Sequence, residues 1–469
     1  MSKISRKKFL RNSALGMAGI AAAPFAGSAK TPFSELKNRD WKKKFSANDQ
    51  IQIATIGMGI IAYDDIPTAL AVPGVKMVAA ADCYDSRLVR TKEFFGDHVE
   101  TTRDYRDILE RDDVDAVLLC TPDHWHARQS IDALNAGKHV YCEKPMVQQI
   151  DEGLEVINAD NSTDPILQVG SQFTSDIIFQ KAAELYKSGA IGTLNQVVAM
   201  YNRNSSLGAW QYSMPEDATP ETVDWDSFLG HAPDRPWDPK RFFRWRCYDD
   251  YGTGVPGDLF VHLFTGVHTV VGAVGPTLVS GTGGIRSWFD EREAPDVING
   301  QYHYPETDNH PDFTLTLQSN LADGGGTGTR FQFIGDEGAL EVSPGSSIRL
   351  SRYPRREPTL DQLMYGYNSV RTFSERVQKE FETNYKAEHA DKVQYEPEMD
   401  QTEEFRAPSG YDSRLDHFVN FFDSVRNGTP VFEDSVFGFR AAAPALLTNT
   451  SLKENRVVEW DPVNMRIPS

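Results

Sequence analysis

The chain has 469 residues, with 67 acidic against 48 basic side chains, a net charge of −19, and 40% hydrophobic residues. That length suits about two to four domains with sizeable cores, and the acidic balance without any basic stripe excludes a nucleic-acid partner. Four cysteines, Cys83, Cys120, Cys142 and Cys247, lack C-x-x-C spacing, so neither a zinc site nor a disulfide framework is implied, and burial as small apolar residues is expected.

Residues 1–30 do not read as part of a fold. A basic Ser5–Arg11 stretch precedes the small, apolar run Ala14–Ala23, and Ala26–Ala29 offers small residues for cleavage. This is the pattern of a secretory leader, which predicts a periplasmic or secreted protein. The order Ser-Arg-Lys-Lys-Phe-Leu is close to a twin-arginine leader, with Lys7 where that pattern has its second arginine. The apolar run is shorter than the ~20 residues of a membrane span, so none is expected. Residues 31–50 are polar and charged and read as a linker or arm.

From Ile51 the texture becomes that of a buried parallel strand, an apolar run ending at Gly57. Gly57, Gly59 and Ala62 follow in the order Gly-x-Gly-x-x-Ala. The first glycine permits a tight turn, the second lets a pyrophosphate approach the backbone, and the small third residue lets the next helix pack closely. A dinucleotide would then lie at that helix's N-terminus. A second apolar run, Lys76–Asp82, ends in a carboxylate 25 positions after Gly57, near the ~20-residue spacing at which an acid reaches the ribose hydroxyls. Asp82 would repel a 2′-phosphate, which favours NAD over NADP. The runs Asp115–Pro122 and His139–Pro145 read as further strands, and their carboxyl ends should bring Thr121, Pro122, Glu143 and Lys144 toward the cofactor. Ile166–Gly170 is the last strand of a Rossmann domain assigned to 51–172.

The remainder, 173–469, reads as an α+β domain. After a helix over Asp176–Lys187, the stretches 196–201, 312–318 and 330–334 alternate as half-buried antiparallel strands of a largely antiparallel open sheet. A long segment containing Trp210, Trp225, Trp237, Arg241, Phe242, Arg244, Trp245 and Arg246 lies between. Stacking of its tryptophans on sugar faces and packing of the loop onto the domain are both open, and Arg241, Arg244 and Trp245 are candidate substrate contacts. Glu375–Gln401 reads as a solvated helical face or a mobile loop; 415–426 and 437–452 read as amphipathic helices that could return to the first domain.

In order, Gly57-Met-Gly59-Ile-Ile-Ala62, Thr121-Pro122-Asp123-His124-Trp125-His126, Glu143-Lys144-Pro145 and Asp258-Leu-Phe-Val-His262 resemble the Gfo/Idh/MocA family of nicotinamide-dependent oxidoreductases, over nearly the whole chain after the leader. Hydride transfer from an alcohol carbon needs a proton acceptor for the hydroxyl and a positive neighbour for the developing alkoxide. The resemblance implies that Lys144, Asp258 and His262 bind and deprotonate a sugar or polyol hydroxyl. Asp258 and His262 are spaced i, i+4, which one helical face would hold together. His126 is implied near the cofactor or the domain boundary; with Asp123 and His124 it is not read as a metal site. Many members carry Asp three positions after the histidine, where this chain has Thr265. The family also contains NAD-dependent glycosidases that oxidise transiently and eliminate, an alternative activity. Paired sheets in the family imply a homo-oligomer.

Overall fold

A computed structural model describes residues 33–37, 50–353, 358–389 and 401–468. The expected leader lies outside the described residues, as does most of the expected arm. One part of that arm is a correction: Phe33–Glu35 (β1) is a short strand pairing in parallel with Gln401–Arg406.

The first sheet is wholly parallel. Its strands are β2 (Ile51–Ile56), β3 (Val75–Ala81), β4 (Glu100–Thr102), β5 (Ala116–Leu119), β6 (His139–Cys142) and β7 (Leu167–Val169), in spatial order β4-β3-β2-β5-β6-β7. Residues of β5 are buried on both faces, which explains their unbroken apolar run. The order turns back between β2 and β5, and ligands in such sheets bind beyond the strand ends at that point.

One face of this sheet is closed from far along the chain. The helix Ala62–Ala71 buries Ala62, Ile66 and Ala69 at helical spacing. Against it lies Ser413–Asn427, which buries Phe418, Phe421 and Phe422, with the Phe418 ring stacked on Tyr141 at 4.4 Å. The helix Ser435–Glu454 packs on the helix Glu152–Ser162 and on the second sheet. Its approach is close enough that a Cβ at Gly153 would strike the Phe439 ring, and one at Gly281 the Thr448 carbonyl.

The second sheet has ten strands. Besides β1 these are β8 (Leu194–Asn202), β9 (Leu278–Gly284), β10 (Val297–Tyr304), β11 (Phe313–Asn320), β12 (Gly328–Gly335), β13 (Gly338–Ser343), β14 (Ser347–Arg352), β15 (Gln401–Arg406) and β16 (Val458–Glu459). They run in the order β1-β15-β14-β13-β12-β8-β11-β10-β9-β16, antiparallel except at β1/β15 and β8/β11. Alternate residues of β10 and β11 are buried, which gives the sheet one covered and one open face. The helices Ile177–Lys187 and Val261–Val271 cover the buried side. All four cysteines are free; Cys120, Cys142 and Cys247 are buried and Cys83 is partly so. The helix Glu375–Glu388 buries no residue, as its charge implied.

Candidate active site

The turn after β2 is shaped by two different demands. Gly57 has φ +90°, and a Cβ there would lie 2.8 Å from the Cys120 carbonyl and the Thr121 nitrogen, so only glycine fits between the strand ends. A Cβ at Gly59 would meet nothing within 4 Å, because that side is open crevice. Met58 N–H donates to Asp82 Oδ2 at 2.7 Å, whereas the N–H groups of Gly59, Ile60 and Ile61 have no partner among the described residues. Unpaired donors at a helix start, facing a cavity, suit a diphosphate. The crevice encloses about 380 Å³; Gly57, Gly59, Asp82, Thr121 and Pro122 line it on one side and Phe228, Phe242, Trp245 and Arg246 on the other.

Asp82 is more occupied than the sequence suggested. Its carboxylate accepts from Met58 N–H and Tyr84 N–H and pairs with Arg87 at 3.3 Å, so it also fixes the glycine turn. Arg87 in turn lies over the Phe242 and Phe243 rings.

Four expected cofactor residues, Ala62, His126, Glu143 and Lys144, lie outside the crevice lining, and each has a structural reason. Ala62 is fully buried at the helix start, packing rather than facing the cavity. His126 is 1% exposed; its Nδ1 lies 2.6 Å from the Pro145 carbonyl and its Nε2 2.9 Å from that of Thr121. It staples the two strand-end loops together from beneath. Glu143 turns inward, beside Gly170, and its carboxyl hydrogen-bonds that of Asp65. Burial raises both carboxyls, and for Asp65 the charge of Glu143 raises it further. Arg414 faces Asp65 at 3.5 Å.

Lys144 is turned to Asp258, next to Arg246 of the crevice wall. Its Nζ donates to Asp258 Oδ1 at 2.9 Å and to the Asp258 carbonyl at 3.0 Å. Asp258 belongs to a π-helical turn, Pro256–Phe260, whose lead-in is tied down: Thr253 donates through N–H and hydroxyl to Asp123 Oδ2, and Asn449 Nδ2 donates to the Thr253 carbonyl. Two residues that the sequence reading did not assign to the site complete the cluster. Arg246 Nε donates to Asp258 Oδ1 at 3.3 Å, and an Arg203 nitrogen is 3.7 Å from Oδ2. Burial opposes the charge on Asp258, yet Lys144, Arg246 and Arg203 together hold its carboxyl far below the usual range, so it is ionised throughout.

His262 opens the α-helix Val261–Val271 and does not hydrogen-bond Asp258. Its Nδ1 is buried without a partner, and Phe173 and Tyr201 flank the ring at 5.5 and 6.1 Å. Burial, then the Lys144 charge, push its pKa well down, so the imidazole is neutral. Thr265, where a family member often has Asp, is fully buried and hydrogen-bonded to Ser171 at 2.9 Å, away from the cluster.

Of the candidate substrate contacts, Arg241 is a correction: it is spent on Asp250 at 3.0 Å and Glu293 at 3.1 Å, with its guanidinium over Tyr248. Arg244 donates to the Tyr212 carbonyl at 3.0 Å and to Gln211, positioning Tyr212 at the crevice. Trp245 lines the crevice, while Trp210 and Trp225 are packed inside, so the long segment is a folded wall. Among the described residues no group of three or more His, Cys, Asp and Glu side chains could hold a metal, and no helix is long and apolar enough to cross a membrane.

Residues 51–171 match the model of an oxidoreductase family described as an NAD-binding Rossmann fold (GFO_IDH_MocA), and 230–460 match its C-terminal alpha/beta domain. Among curated relatives, the uncharacterized oxidoreductase YrbE of Bacillus subtilis is 35% identical over 146 residues, 31% of this chain and 42% of that protein. A glycosyl hydrolase family 109 protein of Shewanella baltica is 29% identical over 175 residues, 35% of this chain and 38% of that protein. The matched stretches therefore span less than half the length of these relatives. A solved levoglucosan dehydrogenase, in complex with NADH and levoglucosan, superposes with a TM-score of 0.61 at 17% identity, over 87% of this chain and 99% of that one, which establishes the shared fold.

Proposed function

The chain belongs to the Gfo/Idh/MocA oxidoreductase family, and from that premise we propose that it oxidises a hydroxyl of a carbohydrate or polyol, with hydride passing to tightly bound NAD. The observation that carries this reading is the Lys144–Asp258 pair, 2.9 Å apart, where the crevice wall at Arg246 meets the end of β6. NAD fits the residues present: unpaired N–H groups at Gly59–Ile61 for the diphosphate, and open space at Gly59. When bound it supplies the hydride acceptor.

The protein's own part is to hold the hydroxyl and move its proton. Lys144, anchored by two acceptors on Asp258, donates to the substrate oxygen and stabilises negative charge as it develops. Neutral His262, on the helix that follows Asp258, receives the proton. Asp258 stays ionised and acts as a fixed acceptor rather than as the base. The packed aromatic wall, Phe228, Phe242 and Trp245, keeps water from the reacting carbon. Levoglucosan, the sugar derivative bound by the solved neighbour, is of the same substrate class.

Residues 1–30 are a secretory leader in this reading, and the enzyme works outside the cytoplasm as a homo-oligomer that carries its cofactor out during export. A retained cofactor must be reoxidised in place. The likeness to a glycosyl hydrolase family 109 protein favours, as a second reading, a cycle in which the hydride returns after elimination of a leaving group. Absorbance of reduced nicotinamide on adding sugars selects the first reading; release of a leaving group from glycosides with no net reduction selects the second. Protein that neither retains nor binds NAD would defeat both.

A further inference from the structure

The charges around Asp258 do not balance. Lys144, Arg203 and Arg246 all face this one carboxylate, and it is their only ion-pair partner among the described residues. Elsewhere cations have acids of their own: Arg241 has Asp250 and Glu293, Arg111 has Glu100 and Asp113, Arg292 has Asp290. In a chain with 67 acidic and 48 basic residues, three cations that share one ion-paired carboxylate are a local reversal of the overall balance. Asp123 and Glu143 lie within electrostatic reach but neither forms an ion pair with these cations: Asp123 Oδ2 accepts from Thr253 N–H and hydroxyl, and Glu143 is turned toward Asp65.

The two guanidiniums are also short of acceptors. Each offers five N–H donors. Arg246 uses Nε on Asp258, at a long 3.3 Å, and rests its guanidinium on the Trp245 ring at 4.2 Å; Arg203 reaches the Gly208 carbonyl at 3.3 Å. Arg246 lines the crevice, so its remaining donors are accessible from it. The glycine turn has unpaired N–H groups of its own for the cofactor's phosphates, which leaves these arginines to a different anion. We propose that Arg203 and Arg246 form an anion subsite beside Lys144, and that the substrate is a sugar bearing a carboxylate or phosphate. This rests on the sugar-oxidoreductase reading for its catalytic consequence, but the binding stands apart from it. A guanidinium fork matches either anion in a two-point hydrogen bond, and the low-dielectric wall strengthens the attraction.

The test uses the NAD-loaded full-length protein with glucuronate, glucose 6-phosphate and glucose. Calorimetry measures binding, and absorbance measures reduced nicotinamide. One of the anionic sugars should bind about tenfold to a hundredfold more tightly than glucose, the range of a charged hydrogen bond. The advantage should shrink about tenfold in Arg246→Gln and in Arg203→Gln, and also in high salt. The wild-type comparison needs no variant to fold. Equal binding of all three sugars, or an advantage unchanged in both variants, overturns the subsite. Selective binding of an anionic sugar without reduction would leave the subsite standing and defeat the dehydrogenase reading; oxidation of glucose as readily as of either anion would do the reverse.

Discussion

Replacing Lys144 by Met separates catalysis from stability because of what remains around Asp258. Breaking a buried ion pair usually costs about 3–5 kcal/mol, since the surviving charge is stranded. Here Asp258 keeps Arg246 at 3.3 Å and Arg203 at 3.7 Å, so its carboxylate is not stranded, and the methionine side chain fills much of the same volume. The loss of stability should therefore be about 1–2 kcal/mol. Turnover should fall far more. No other cation is held by two acceptors on Asp258, so the developing alkoxide loses its donor, an effect of roughly 10²- to 10³-fold, or about 3–4 kcal/mol. Steady-state absorbance gives the turnover, quenching of protein fluorescence gives NAD affinity, and thermal unfolding gives the stability. Activity within tenfold of the wild type, with NAD bound normally, would refute the role assigned to Lys144. A weakening of NAD binding equal to the loss of turnover would refute it differently, by making Lys144 a cofactor contact.

Gly57→Ala should unfold at a lower temperature and lose NAD binding, because its Cβ would stand 2.8 Å from backbone atoms of Cys120 and Thr121 at a positive φ; Gly59→Ala, with open space, should keep the stability and lose only affinity, and equal effects in the two would refute this contrast. NAD should bind at least tenfold more tightly than NADP, and Asp82→Ala should narrow the gap while lowering stability by about 1–3 kcal/mol through the orphaned Met58 N–H, as fluorescence titration and unfolding would check. His417 is buried and neutral, its pKa pushed by burial from 6.5 to about 4, so the unfolded chain takes up the proton first as pH falls and the stability this residue contributes is lost from about pH 6.5 down to 4. At ~1.4 kcal/mol per pH unit, the stability difference between wild type and His417→Asn should shrink by about 3 kcal/mol from pH 7.5 to 4; a difference independent of pH would refute a neutral imidazole there.

What could be read from the sequence was chemistry set by neighbours in the chain. The Gly57–Ala62 turn, the runs ending at Asp82, Thr121 and Lys144, and the helices around 415–426 and 437–452 all rest on local periodicity or spacing, and the structure has each of them. The helix Ser413–Asn427 was legible as amphipathic, but the sheet face it covers was fixed only by Phe418 meeting Tyr141 from another part of the chain. Arg203 carried no signal and Arg246 stood out only as one basic residue of the long aromatic segment, because both are brought to Asp258 by tertiary packing, one from the end of β8 and the other from a single 3₁₀ turn. Glu143 could not be told from a cofactor ligand without knowing that Asp65, on the helix after the glycine turn, would meet it inside the protein. The strand Phe33–Glu35 has three residues, all exposed, too short to show alternation.

The spacing of Asp258 and His262 shows how two residues near in sequence can be read with the wrong geometry. On an unbroken α-helix two residues four apart share a face, and an aspartate there would grip the imidazole, take up its Nδ1 hydrogen bond and favour its protonated form. The chain instead closes one wider turn at Pro256–Phe260, with Val261 N–H returning to the Pro256 carbonyl, before the α-helix proper begins. Such insertions occur often at functional sites because they re-aim a side chain without ending the helix. Here the insertion delivers Asp258 to three cations and leaves His262 between two aromatic rings with an unpaired nitrogen. A carboxylate held by three cations and an imidazole with an unpaired nitrogen are thereby made from residues one turn apart, which a straight helix at the same spacing would have coupled to each other.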